Sequence, residues 1–165
     1  MSDPPHDLTV RPARPEDAPE AALLLCESIC ALCHADHGGL SDIIARWTAN
    51  KTPGQVRRWT ERGPLDLLVA LREGALVGVG ATIEAQEIAL NYVAPEARFS
   101  GVSSALLAAM EARIAGAGTQ TARLTSTLTA RAFYAARGWQ ASGQPVSDFG
   151  LAGFPMEKVM AGFAG

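Results

Sequence analysis

Residues 87–118, EIALNYVAPEARFSGVSSALLAAMEARIAGAG, decide the fold. The apolar and β-branched run from Ile88 to Val93 stops at Pro95, which cannot donate to a sheet ladder and restricts the residue before it, so a strand is expected. Beyond a turn of small residues, Ser100, Gly101, Val102, Ser103 and Ser104, the apolar residues Val102, Leu106, Met110 and Ile114 recur every four positions. That spacing predicts a helix over 102–117 with one apolar face. The first turn of a helix leaves backbone N–H groups unpaired at the positive end of the dipole, and a phosphate is their natural guest. Gly101 withholds a side chain there and Arg98 adds a cation. Small residues also occur where a strand and a helix merely pack closely, so the turn alone leaves both readings open.

With 165 residues, one domain over 1–165 is expected, with residues 1–7, polar and bearing two prolines, as a flexible leader. Hydrophobic residues make up 48% and charged residues 19%, as suits a globular chain. The net charge of −3, from 14 basic and 17 acidic residues without a dense basic run, argues against nucleic acid or an anionic membrane as partner. The amino terminus lacks a basic start followed by an apolar stretch, and no membrane-length apolar run occurs, so a cytoplasmic protein is expected.

Outward from the central stretch, residues 8–12 alternate as an edge strand. Ala18, Ala22, Leu25, Ile29 and Leu32 then predict a helix from Pro15 to about Cys33. Residues 34–39, HADHGG, read as a turn. Two shorter helices follow, one capped by Ser41 and carrying Ile43, Ile44 and Trp47, the other opening at Thr52-Pro53 with Val56 and Trp59. Residues 65–71, 76–84 and 87–93 read as an antiparallel meander. A helix crossover places the strand over 122–127 parallel to 87–93. A short helix over 129–137 is stopped by Gly138, and strand pieces follow around Gln140 and over 156–159. The fold class is mixed α/β: a mostly antiparallel sheet of six or seven strands with helices on both faces.

Cys26, Cys30 and Cys33 have the spacing of an iron–sulfur motif, but each directly follows a member of the helical stripe Leu25, Ile29, Leu32. They read as small thiols widening an apolar helix face rather than as metal ligands or a disulfide framework. A zinc site from Cys30, Cys33, His34 and His37 lacks support elsewhere in the chain. No metal is expected.

Arg98-Phe99-Ser100-Gly101-Val102-Ser103, preceded by Tyr92-Val93-Ala94-Pro95, resembles the coenzyme A signature of the GCN5-related N-acetyltransferases, Arg/Gln-x-x-Gly-x-Gly/Ala, with Ser103 in place of the usual final Gly or Ala. Residues 126–139, STLTARAFYAARGW, are similar to that family's second recurrent element, a short helix carrying Ala, Phe-Tyr and then Gly-Phe/Trp. The resemblance implies a fold with a splayed parallel strand pair and an N-acetyltransferase that moves an acetyl group from acetyl-coenzyme A to a primary amine by direct attack. The acceptor would be a small molecule or a peptide, and a homodimer is open. The backbone of Tyr92 and Val93 would pair with the pantetheine arm. Arg98 and the amides of Phe99, Ser100, Gly101, Val102, Ser103 and Ser104 would hold the diphosphate.

The resemblance also places the Tyr134 hydroxyl beside the sulfur, where a phenol can hand a proton to the departing thiolate. For the proton leaving the amine, Glu84 and Glu87 are the candidates, or both are solvated turn carboxylates. Asn91 is a candidate to hold a water or the substrate. Asp36 is a candidate to attract a cationic amine and His37 to relay a proton, against the plain reading of a solvated polar loop. A second reading is a catalytically idle member that binds acyl-coenzyme A as a sensor.

Overall fold

In the computed structural model, which describes residues 7–160, β1 (Leu8–Pro12) leads through a 3-10 turn (Pro15–Asp17) into α1 (Ala18–Leu32). Residues 1–6 of the expected leader lie outside the described residues. Its last member, Asp7, lies 3.8 Å from the Arg72 guanidinium. The expected turn over 34–39 holds a one-turn helix, α2 (His34–His37). The cause is His37, which is buried and closes the carbonyl end of α1. Its Nε2 lies 2.9 Å from the Ile29 carbonyl, and the Gly39 amide donates to its Nδ1 at 2.9 Å.

In α3 (Ser41–Thr48) Ser41 is already helical and the extended residue ahead of it is Leu40, so the expected serine cap is not made. In α4 (Pro53–Glu61) the Thr52 hydroxyl accepts from the Gln55 amide at 3.1 Å, with proline at the first helical position.

β2 (Leu65–Arg72), β3 (Ala75–Ile83) and β4 (Glu87–Val93) form the antiparallel meander, with β1 pairing β2 at its outer side. α5 (Val102–Gly116) crosses to β5 (Thr121–Ser126), which runs parallel to β4. After α6 (Arg131–Ala135) come β6 (Gln140–Ala141), β7 (Val146–Asp148) and β8 (Leu151–Val159). The sheet order is β1-β2-β3-β4-β5-β8-β6, with β7 on β8, giving eight mostly antiparallel strands among the described residues. Every residue of the short β6 and β7 is exposed, so both lack the alternation that marks a strand in sequence. β8 begins five residues before the expected strand because Pro155 sits within it, opposite Thr125.

Two glycines set the distance between helix and sheet. A Cβ on Gly78 would lie 2.6 Å from Val102 Cγ1 and 2.9 Å from Leu106 Cδ1, and one on Gly80 would lie 3.1 Å from Met110 Sδ. α5 therefore lies close on β3, burying Leu106, Met110 and Ile114 completely, which stabilises the fold by about 1.5–3 kcal/mol for each such side chain. α1 packs on β3 and β4 without packing on α5, so it covers the opposite face. Among the described residues no helix is long and apolar enough to cross a membrane.

Candidate active site

The site begins with a fault in the sheet. β3 and β4 pair residue for residue from Gly78↔Val93 to Ala81↔Leu90, but the next pair is Thr82↔Ile88, which leaves Ala89 as a bulge. A bulge bends its strand and increases the local twist. On its other side β4 pairs β5 only at Glu87↔Arg123 and Ile88↔Leu124. Past Ala89 the parallel strands part, and the β5-facing edge of β4 has no strand partner among the described residues. The gap opens into a cleft of about 420 Å³ bounded by Cys33, Asn91, Gly101, Thr129, Tyr134 and Arg137, among others.

One wall of the cleft is the turn between β4 and α5. Among the described residues none of the backbone amides of residues 99–104 finds an acceptor in hydrogen-bonding geometry, and α5 has no side-chain cap. Gly101 has φ 87°, and a Cβ there would meet nothing within 4 Å, so glycine serves the backbone conformation and leaves the turn open. Arg72, reaching over from β2, fixes the turn by donating to Ser100 Oγ at 2.9 Å and to the Ser100 carbonyl at 3.0 Å. Arg98 and Arg137 are the charged side chains lining the cleft among the described residues. Arg137 lies 3.8 Å over the Phe133 ring and donates to Ser104 Oγ at 2.9 Å. A row of free amides between two guanidiniums is built to receive an anion.

Tyr134 lines the same cleft. Its ring is 6% exposed and meets Phe133 and Trp139 edge-on, with Trp139 held by a 3.0 Å indole N–H bond to Glu111. Burial pushes its phenol up to about 12, and the neighbouring Asn91 amide works in the other direction. Asn91 Nδ2 donates to the Ser103 carbonyl at 3.4 Å, while Asn91 Oδ1 is buried with no partner among the described residues. An acceptor left so costs about 1–3 kcal/mol. Tyr92 packs its ring against Ile29, Cys33 and Trp47, and burial drives its phenol upward. The Cys33 thiol is pushed up to about 12 by burial and then by Asp36.

The structure does not bring the other candidates together with Tyr134. Glu84 lies in the β3–β4 turn and Glu87 opens β4, about 13 Å along the strand from Asn91, so neither reaches the cleft. His37 has both ring nitrogens engaged and none free to relay a proton. Asp36 is likewise committed. Its carboxylate accepts from the Leu128 amide at 2.6 Å, from the Thr129 amide at 3.1 Å and from the Thr129 hydroxyl. It ties α2 to the loop before α6 instead of facing an amine. Arg72, Arg137 and the Ala89 bulge went unread in the sequence, because the partners that give them meaning lie far along the chain. Among the described residues no group of three or more His, Cys, Asp or Glu side chains is placed to hold a metal ion.

Residues 38–160 match the family model described as an acetyltransferase (GNAT) domain. The chain belongs to the GNAT acetyltransferase family. Its fold is similar to the GCN5-related N-acetyltransferase from Rhodopseudomonas palustris titled aminotransferase, class II, at 26% identity and a TM-score of 0.83, over 97% of this chain and 98% of that one. The PaiA N-acetyltransferase from Thermoplasma acidophilum, solved in complex with coenzyme A, shares the fold at 19% identity and a TM-score of 0.74, over 92% and 98% of the two chains. So does the ribosomal-protein-alanine N-acetyltransferase from Brucella melitensis, at 21% identity and a TM-score of 0.64, over 92% and 99%. A comparison with curated protein sequences gives no significant match. The GNAT fold accounts for the splayed β4–β5 pair that the sequence resemblance implied.

Proposed function

We propose that this protein is an N-acetyltransferase that uses acetyl-coenzyme A to acetylate a primary amine by direct attack. The observation that carries the reading is the run of amides over 99–104 left without an acceptor among the described residues, lining the same cleft as a buried phenol where β4 and β5 part. In this reading the amides, Arg98 and Arg137 hold the diphosphate, and the unpaired edge of β4 at Tyr92 and Val93 pairs with the pantetheine arm as an added strand does. Acetyl-coenzyme A supplies the activated acyl group. Tyr134, protonated at neutral pH, donates its proton to the departing sulfur. Asn91, which lines the cleft, holds a water or the incoming amine.

Direct attack is favoured over a cysteine-linked route because Cys33, the thiol lining the cleft, is held protonated. No carboxylate lines the cleft among the described residues, so the proton shed by the amine passes to water. The same lack of anionic side chains favours a monoamine on a neutral or apolar body over a polycation. The test is thiol release from acetyl-coenzyme A with a panel of monoamines, polyamines and peptides, run on the wild type and on Tyr134→Phe. Turnover that falls on the order of 10²-fold or more in the variant while coenzyme A binding persists supports the reading. Coenzyme A binding without thiol release for any amine makes the protein a sensor instead.

A further inference from the structure

Phe99 is the anomaly of the turn. It is 92% exposed, has φ 61°, and carries the Arg98 guanidinium over its ring at 4.5 Å. A bulky residue with positive φ is strained, and such strain persists where the surroundings over-determine it and clusters at ligand clamps. Here the strain holds an aromatic ring out in solvent at the mouth of the cleft, where Phe99 is one of the lining residues. A ring so exposed contributes nothing to the core. Arg98 lies over the ring, which leaves a face open. The ring belongs to the first residue of the free-amide run over 99–104. A ligand whose diphosphate sits on those amides has its nucleoside end leaving the cleft at this rim.

We propose that Phe99 is the stacking platform for the adenine of coenzyme A, with Arg98 completing a purine-binding clamp at the mouth of the cleft. Every nucleobase has a π-face, and an exposed aromatic ring accepts it without needing hydrogen bonds to the base edge. A guanidinium over the same ring adds cation–π attraction and draws the adjacent phosphates. This inference rests on the acetyl-coenzyme A reading above and deepens it. The residue's main-chain amide serves the diphosphate and its side chain serves the base.

The experiment is calorimetric titration of the full chain and of Phe99→Ala and Phe99→Trp with coenzyme A and with 4′-phosphopantetheine, which keeps one phosphate and lacks the adenosine 3′,5′-bisphosphate. Base–aromatic stacking predicts coenzyme A affinity about 5- to 150-fold weaker in Phe99→Ala and retained in Phe99→Trp. Affinity for 4′-phosphopantetheine should stay within twofold in both variants, which also reports that the turn is intact. Equal losses for the two ligands would make Phe99 a determinant of turn shape and overturn the proposal. So would unchanged coenzyme A affinity in Phe99→Ala, including the case in which the substitution alters only the oligomeric state. Failure of the wild type to bind coenzyme A at all would strike the acetyltransferase reading instead, so the two failures are distinct.

Discussion

Asp36→Asn separates an amine anchor from a structural latch. The carboxylate takes two amides and one hydroxyl from Leu128 and Thr129, the residues that lead into the helix bearing Tyr134. Asparagine preserves volume but offers one acceptor oxygen, and its amide nitrogen then faces an N–H or O–H donor. Losing one hydrogen bond to a charged group costs about 1.5–3 kcal/mol. For a domain of this size that corresponds to a Tm lower by about 3–12 °C. The effect on chemistry is larger than the effect on stability, since misplacing a reacting group by about 1 Å can lower a rate on the order of 10²-fold. The assay is steady-state thiol release with the best amine, with KM and kcat determined separately, beside thermal unfolding. A latch predicts that kcat falls and Tm drops while KM for the amine changes little. A raised amine KM with kcat and Tm intact would show that Asp36 contacts the amine and would refute the latch.

Gly78→Ala should lower both Tm and coenzyme A affinity, because its methyl group enters the space of Val102 and Leu106 and pushes the start of α5 off the sheet; unchanged affinity in a destabilised variant would uncouple packing from the anion site. Glu84 and Ala85 have φ 52° and 50° in the β3–β4 turn, where Asn-Gly is the preferred pair, so the double substitution Glu84→Asn, Ala85→Gly should raise Tm and leave turnover unchanged. A loss of turnover there would restore Glu84 as a proton acceptor. The Arg11 guanidinium, bonded to Asp17 at 2.8 and 3.0 Å, holds that carboxyl below its usual 3.8, so its stabilising share is present above that pH and lost as pH falls through the lowered value. Urea unfolding should therefore find Asp17→Asn less stable than wild type at pH 6 and the difference shrinking near pH 2.

The strand, turn and helix over 87–118 were legible because every local signal agreed: the apolar run, the proline stop, the small residues and the four-residue stripe. The position of Tyr134 on a short helix lining the cleft was legible only through the resemblance of that helix to a known element. Asp36 and His37 could not be read, since a loop carboxylate and a solvated one look alike until residues 128 and 129 fold over α2, and a buried imidazole depends on the end of α1 beneath it. The strand direction already placed Glu87 at the far end of β4 from Pro95. The Ala89 bulge has no glycine or proline to announce it. Gly78 and Gly80 gave a visible signal in β3, but their reason, the approach of α5, is tertiary.

The central claim is that the free amides of residues 99–104 grip a diphosphate, and amide resonances report it directly. In titrations of the isotope-labelled full chain, coenzyme A should move the N–H signals of these residues downfield, while pantetheine, which has no diphosphate, should leave them in place. Binding of coenzyme A with these signals unmoved, or equal shifts with pantetheine, would contradict the account.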